Sequence, residues 1–109
     1  MIQYKIEVYL PEDLVDLMIT EVSKIGACKI GNYDQVASYY EIKGCWRPLE
    51  NAKPFIGEKN TVHYGSEYKL EFRSEEQYVK PVIKKIREIH PYEEAVINVI
   101  RLENHLFEE

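Results

Sequence analysis

The chain has few of the features that mark exported, membrane or redox-active proteins. Its 109 residues contain only two cysteines, Cys28 and Cys45, without the CxxC spacing of redox and zinc motifs. No apolar run approaches the length of a membrane span, and the first residues lack a signal-peptide pattern. These absences predict a cytoplasmic protein with reduced thiols and no membrane association.

Positive charge is also scarce. The 14 Lys and Arg residues are outnumbered by 19 Asp and Glu residues, so the net charge is −5. Binding to nucleic acid depends on clustered positive charge, so this balance argues against a nucleic-acid partner. The densest basic stretch, Lys80 to Arg87, alternates charged and apolar residues at helical spacing, which is typical of the exposed face of an amphipathic helix.

Motifs of common catalytic and metal sites are missing as well. Gly26 and Gly31 do not form a dinucleotide-binding or phosphate-binding glycine loop. No Ser-His-Asp or Cys-His arrangement is indicated, so no catalytic residue is assigned and the cofactor stays unknown. The histidines and cysteines lack the spacing of a tetrahedral site, so no metal ligand is predicted. They are His63, His90, His105, Cys28 and Cys45.

Hydrophobic periodicity predicts six elements in one domain, residues 1–109, with a frayed acidic tail at 103–109. The strands are expected at Met1 to Leu10, Gln35 to Gly44, Val62 to Arg73 and Ala95 to Leu102. Pro11 and Gly26 bound the first helix, whose apolar stripe is Leu14, Leu17, Met18, Val22 and Ile25.

The second helix is expected between the third and fourth strands. Ser74 and Gln77 have the spacing of a capping box at its start, and Pro91 ends it. Pro81 lies inside the pattern, where it should kink the helix or move its start. The order β-α-β-β-α-β predicts a ferredoxin-like α+β sandwich with two helices on one face of an antiparallel sheet.

The segment His90-Pro91-Tyr92-Glu93-Glu94 is the strongest cluster of chemically active side chains. His90 and a glutamate can act as an acid–base pair or as metal ligands. Alternatively, His90 caps the helix C-terminus, Tyr92 packs and the glutamates are solvated. Spacing alone leaves both interpretations open.

A second cluster lies in the long connection between the second and third strands. It contains the only tryptophan, Trp46, followed by Arg47 and Phe55, with Pro48 and Pro54 interrupting any strand. Long loops with aromatic residues often bind ligands. The alternative is that Trp46 and Phe55 pack on the core or against another subunit.

Three ordered motifs resemble a known family. They are IGNYDQ at Ile30 to Gln35, WRPLENAKPFIG at Trp46 to Gly57 and HPYEE at His90 to Glu94. Together they resemble the inserted domain of the YqfO branch of the Nif-three-like family, whose members contain two metal ions and are often labelled GTP cyclohydrolase type 2-like. That domain is in turn similar to the CutA divalent-cation tolerance proteins and the PII signalling proteins.

The resemblance implies the same ferredoxin-like fold and assembly as a homotrimer. The family's metal ligands lie in a flanking catalytic domain that has no counterpart in this chain, so hydrolase activity and the metal site are not implied. The main hypothesis is a regulatory module that binds a small molecule or a divalent cation in a cleft between subunits. The candidate ligand-binding residues are His90, Tyr92, Glu93, Trp46, Arg47 and Phe55.

Two other functions remain open from the sequence. One is a small enzyme or metal-handling protein that uses His90 with Glu93 or Glu94. The other is a structural partner of a separate metal-binding domain.

Overall fold

The elements follow the predicted β-α-β-β-α-β order. A computed structural model describes residues 1–53, 58–92 and 94–108. A short 3-10 turn, Glu12–Leu14, leads into the first helix, and Asn104–Leu106 forms a second 3-10 turn in the segment expected to be frayed. The main elements are β1 Gln3–Leu10, α1 Val15–Ile25, β2 Ser38–Trp46, β3 His63–Glu75, α2 Glu76–Ile89 and β4 Ile97–Arg101.

The four strands form an antiparallel sheet in the order β2-β3-β1-β4. The alternation of β1 puts Ile6, Val8 and Leu10 on one face, where all three are fully buried. Both helices cover this face, and the core combines these strand residues with apolar residues of α1 and α2. The predicted fold class is therefore confirmed, and the opposite face of the sheet carries no helix in the described part of the chain.

The end of α1 agrees with the prediction from the sequence, whereas the start of α2 differs from it. Gly26 ends α1 as predicted, with a φ of 134° and its backbone N–H bonded to the carbonyls of Val22 and Ser23. The predicted capping box at the start of α2 is wrong. The Ser74 hydroxyl donates to the neighbouring Glu75 carbonyl and does not cap the helix. The helix also continues through Pro81, so its start is not delayed.

Two boundaries near the second cluster differ from the prediction. β2 starts at Ser38 rather than Gln35, because Gln35 adopts a φ of 53° that interrupts an extended strand. β2 also runs on to Trp46, which the sequence had placed in the connection.

Cys28 is buried and Cys45 exposed, and neither forms a disulfide.

The molecule is elongated because β2 and β3 extend beyond the rest of the sheet. β1 pairs with β3 only from Tyr68 onward, whereas β2 pairs with β3 as far as His63. Residues 42–46 and 63–67 thus form a two-stranded projection, here called the arm. The radius of gyration is 15.4 Å, against about 13 Å for a compact chain of this length.

Candidate functional site

The predicted cluster at the end of α2 is folded against the end of β1. His90 has extended backbone angles, as expected before Pro91, and its side chain turns inward so that only 8% of the residue is exposed. Its Nε2 bonds to the carbonyl oxygen of Tyr9, and its Nδ1 accepts a hydrogen bond from the Tyr92 backbone N–H at 3.2 Å. The imidazole thus ties the helix-to-strand junction to β1.

These two hydrogen bonds define the tautomer of His90. Nδ1 faces a backbone N–H and must accept, so Nε2 carries the proton and donates it to the carbonyl. The imidazole ring also contacts the Tyr92 ring edge-on, with the centroids 4.8 Å apart. Both ring nitrogens therefore serve backbone groups, and His90 positions Tyr92.

Two acidic residues that the sequence analysis did not select lie near this junction. The pKa of Tyr92 is raised chiefly by burial and further by the negative charges of Glu67 and Asp13. Burial also raises the pKa of Glu67. Glu67 Oε1 is enclosed and has no hydrogen-bond partner among the described residues. We call Asp13 and Glu67 the acidic foot of the arm.

The second candidate cluster lies at the far end of the arm. Trp46 and His63 are directly paired across β2 and β3, and their rings stack with centroids 5.8 Å apart. The indole also lies over Gly65, where an added Cβ would come within 3.2 Å of the ring. Arg47, the first residue after β2, is exposed. The long connection therefore begins with an ordered aromatic pair beside an exposed cation.

The connection is folded back on this pair in its described part. The backbone N–H of Glu58 donates to His63 Nε2 at 2.7 Å, and the Asn60 side-chain amide donates to Glu50 at 2.8 Å. The remaining candidates of the two clusters, Phe55 and Glu93, lie outside the described residues.

The described residues of the two clusters lie apart along β3 in one copy of the chain. His63, opposite Trp46, is four residues along β3 from Glu67. At 3.3 to 3.4 Å per residue this separation is about 13 Å.

The described residues contain no group of three or more His, Cys, Asp or Glu side chains placed to hold a metal ion. None of their helices is long and apolar enough to cross a membrane.

Comparison with known proteins identifies relatives of this architecture. The chain is 33% identical over 99 residues to the GTP cyclohydrolase 1 type 2 homologue of Bacillus subtilis and 33% over 106 residues to that of Listeria innocua. The match covers 91% and 96% of this chain but only 26% and 28% of those proteins. A Bacillus cereus protein related to NIF3 superposes with a TM-score of 0.82 at 25% identity, over 94% of this chain and 26% of that one.

The chain is a homologue of one segment of these proteins. It spans little more than a quarter of their length. No protein-family profile matches the chain.

More distant structures share the whole fold. The periplasmic divalent cation tolerance protein CutA of Archaeoglobus fulgidus has a TM-score of 0.70 at 12% identity, with 93% of this chain and 84% of that chain covered. Bacillus subtilis GlnK in its ATP complex has a TM-score of 0.66 at 16% identity, with 99% and 93% covered. The domain therefore has the CutA/PII-like fold that the resemblance implied.

Proposed function

We propose that this protein is a regulatory module that binds a small molecule or a divalent cation without turnover and assembles as a homotrimer. Its ligand cleft lies between subunits. One copy lines the cleft with Trp46, Arg47 and Phe55 of the arm and long connection. The next copy lines it with His90, Tyr92 and Glu93 of the helix-to-strand junction.

The observation that carries this proposal is the shape of the arm. It extends beyond β1, and no helix or third strand among the described residues lies under it. It presents Tyr64, which is 80% exposed, next to the Trp46 and His63 pair. An isolated two-stranded ribbon is marginal in water, so a stable arm needs another surface. A second copy provides one, and the CutA/PII-like fold supports that choice.

The junction favours binding over catalysis. A general acid or base must have a ring nitrogen free to reach the substrate. Both nitrogens of His90 are bonded to the backbone of Tyr9 and Tyr92. His90 therefore contributes to the cleft by holding Tyr92 in place.

A thermal-shift screen of purified protein against ATP, other nucleotides and divalent cations tests the binding function. These probes follow from the GlnK–ATP and divalent-cation tolerance proteins that share the fold. A ligand at a hundred times its Kd stabilises the native state by about 2.7 kcal/mol. We expect one class of probe to raise the melting temperature and Trp46→Ala to abolish the shift. Turnover of a probe that His90→Ala removes would instead support an enzyme.

A second candidate function follows from the length of the relatives. The chain matches only 26% to 28% of each of them, so their remaining sequence forms other structure. We propose as the alternative that this domain is a structural partner of a separate metal-binding domain that corresponds to the remaining sequence of the relatives. Affinity purification followed by mass spectrometry tests it. Recovery of a protein homologous to the remaining part of the relatives supports the alternative, and its absence at stoichiometric levels contradicts it.

A further inference from the structure

Both outer edges of the sheet are open in the described part of the chain. The strand order is β2-β3-β1-β4, so β2 and β4 each have a partner strand on one side only. β2 is exposed from Ser38 to Glu41, and β4 is exposed from Asn98 to Arg101. An open edge presents unpaired backbone N–H and C=O groups, which can pair with a further strand.

The edge of β4 lacks the features that usually protect an edge strand, which are proline, lysine and β-bulges. Its sequence, INVIR, contains neither proline nor lysine, and its register with β1 is continuous from Ile97 to Arg101. Val96 is 49% exposed, and Val99 and Ile100 are each 43% exposed. An exposed edge of apolar, β-branched residues is suited to pairing with another strand.

The hydrogen bonds at the two ends of β4 define which of its backbone groups point outward. Val96 accepts a bond from the Tyr9 N–H at 3.2 Å, and the Leu102 N–H donates to the Gln3 carbonyl at 3.0 Å. Backbone groups alternate between the two sides of a strand, so the even-numbered residues of β4 bond to β1 and the odd-numbered ones point outward. The same alternation, carried through β1 and β3, applies to β2. The residues with outward backbone groups are Ile97, Val99 and Arg101 on β4 and Tyr39, Glu41, Lys43 and Cys45 on β2.

A ring of three copies restricts which edges can meet. Each contact in such a ring joins two different surfaces, because a contact between identical surfaces produces a two-fold dimer. The sheet of described strands has two edges, β2 and β4. An edge-to-edge contact in the ring therefore joins β2 of one copy to β4 of the next.

We propose that β2 of one copy pairs antiparallel with β4 of the next copy, so that the three sheets are joined edge to edge. This inference rests on the proposed trimer and identifies the contact that forms its cleft. Within one sheet, β2 and β4 run in opposite directions, because three antiparallel pairings lead from one to the other. Rotation about an axis along the strands preserves these directions, so β2 and the neighbouring β4 are antiparallel as well.

Antiparallel pairing also brings the arm to the junction of the next copy. In an antiparallel pair, the end of one strand lies beside the start of its partner. β2 ends at Trp46, and β4 starts at Ile97, shortly after the segment from His90 to Glu94. Aligning the last outward residue of β2 with the first of β4 sets Lys43 opposite Val99. The indole of one copy then lies close to the junction of the next, as a shared cleft requires.

Proline substitution tests the pairing in the full chain. Val99→Pro and Lys43→Pro each remove a backbone N–H that points away from the sheet, so neither removes a hydrogen bond between strands of one copy. Val99→Ala and Lys43→Ala are matched controls that change the same side chain and keep the N–H. Sedimentation equilibrium gives the dissociation constant of the trimer for each protein. We expect each proline variant to weaken assembly at least about tenfold more than its alanine control, because every contact in the ring loses a hydrogen bond.

Amide hydrogen exchange of the wild type gives a measurement that does not depend on the folding of a variant. Under conditions where the trimer predominates, the outward N–H groups of Val99 and Lys43 should be protected to a similar degree as the inward N–H group of Asn98, which faces β1. Exchange of Val99 and Lys43 at the rate of an unstructured peptide, beside a protected Asn98, would mean that both edges are open in the trimer. Circular dichroism melting of every variant verifies that the fold is retained.

The outcomes separate this inference from the proposed function. A wild-type trimer with protected outward amides, weakened by both proline variants, supports the edge pairing. A wild-type trimer that the proline variants affect no more than their alanine controls overturns the edge pairing and leaves the trimer standing. An effect confined to one of the two edges also overturns it, because the contact needs both. A wild-type monomer contradicts the proposed assembly, and the edge pairing with it.

Discussion

Replacing His90 by alanine should destabilise the fold, because the imidazole joins two parts of the backbone. The ring connects the end of β1, through the Tyr9 carbonyl, to the start of the β4 connection, through the Tyr92 N–H. It also makes an edge-on contact with the Tyr92 ring at 4.8 Å. Alanine removes all three interactions and leaves a gap in a site that is 8% exposed.

The size of the effect follows from these contacts. Each hydrogen bond contributes about 0.5–1.5 kcal/mol, and the aromatic contact contributes about 0.5–1.5 kcal/mol. The expected loss in the free energy of unfolding is therefore about 2–4 kcal/mol, which is large against a total of about 5–15 kcal/mol. With about 4–8 °C per kcal/mol for a domain of this size, the melting temperature should fall by roughly 8–32 °C.

Two further variants isolate the cause. His90→Phe keeps the ring contact but loses both hydrogen bonds. Its free energy of unfolding should therefore lie between those of the wild type and His90→Ala. His105→Ala is the matched control, because His105 lies in the last 3-10 turn and its Nδ1 bonds to no described residue. Calorimetric or urea unfolding of the wild type and the three variants gives the comparison. A His90→Ala protein no less stable than His105→Ala would refute a structural role for this histidine.

Four further outcomes are expected. Gly26→Ala should lower the melting temperature clearly more than Gly31→Ala, because both have positive φ but only at Gly26 does an added Cβ overlap the Tyr78 ring, at 2.8 Å; equal effects in calorimetry would contradict this. Burial raises the pKa of Glu67, so its charged form destabilises the fold above that pKa, and Glu67→Gln should raise the melting temperature at pH 7 by an amount that shrinks toward pH 4. The pKa of Glu7 is lowered chiefly by a hydrogen bond from β4. Glu7→Gln should therefore lower the melting temperature at pH 7, and this effect should vanish as the pH falls through that pKa. If Glu67→Gln and Glu7→Gln shift the melting temperature at pH 7 in the same direction, the argument is refuted. Elemental analysis after chelator-free purification should find no stoichiometric zinc or iron, since the described residues form no ligand cluster.

Local patterns predicted most of the fold correctly. The alternation of β1 identified its buried face, and Gly26 marked the end of α1, because both signals arise from neighbouring residues. The start of β2 was missed because Gln35 has a positive φ, and glutamine is not a residue type that signals one. Trp46 was assigned to a loop because proline follows soon after, whereas pairing with His63 keeps it in the strand.

The site was only partly predictable because it depends on contacts distant in sequence. HPYEE drew attention to His90 and Tyr92, but nothing near Glu67 marks it as a neighbour of that segment. Pairing of β1 with β3 brings Asp13 and Glu67 to the same end of the sheet. Both carboxylates lie just past the last pair of β1 and β3, and this position can be recognised only once the register of the two strands is known.

The solution mass of the protein tests the central claim, assembly around a shared cleft, most directly. Multi-angle light scattering should be recorded from low to high micromolar concentration at physiological salt. We predict a mass three times the 12.9 kDa of the chain over the upper part of that range. A mass of one chain at every concentration would contradict the account, because the arm and the junction would then never meet.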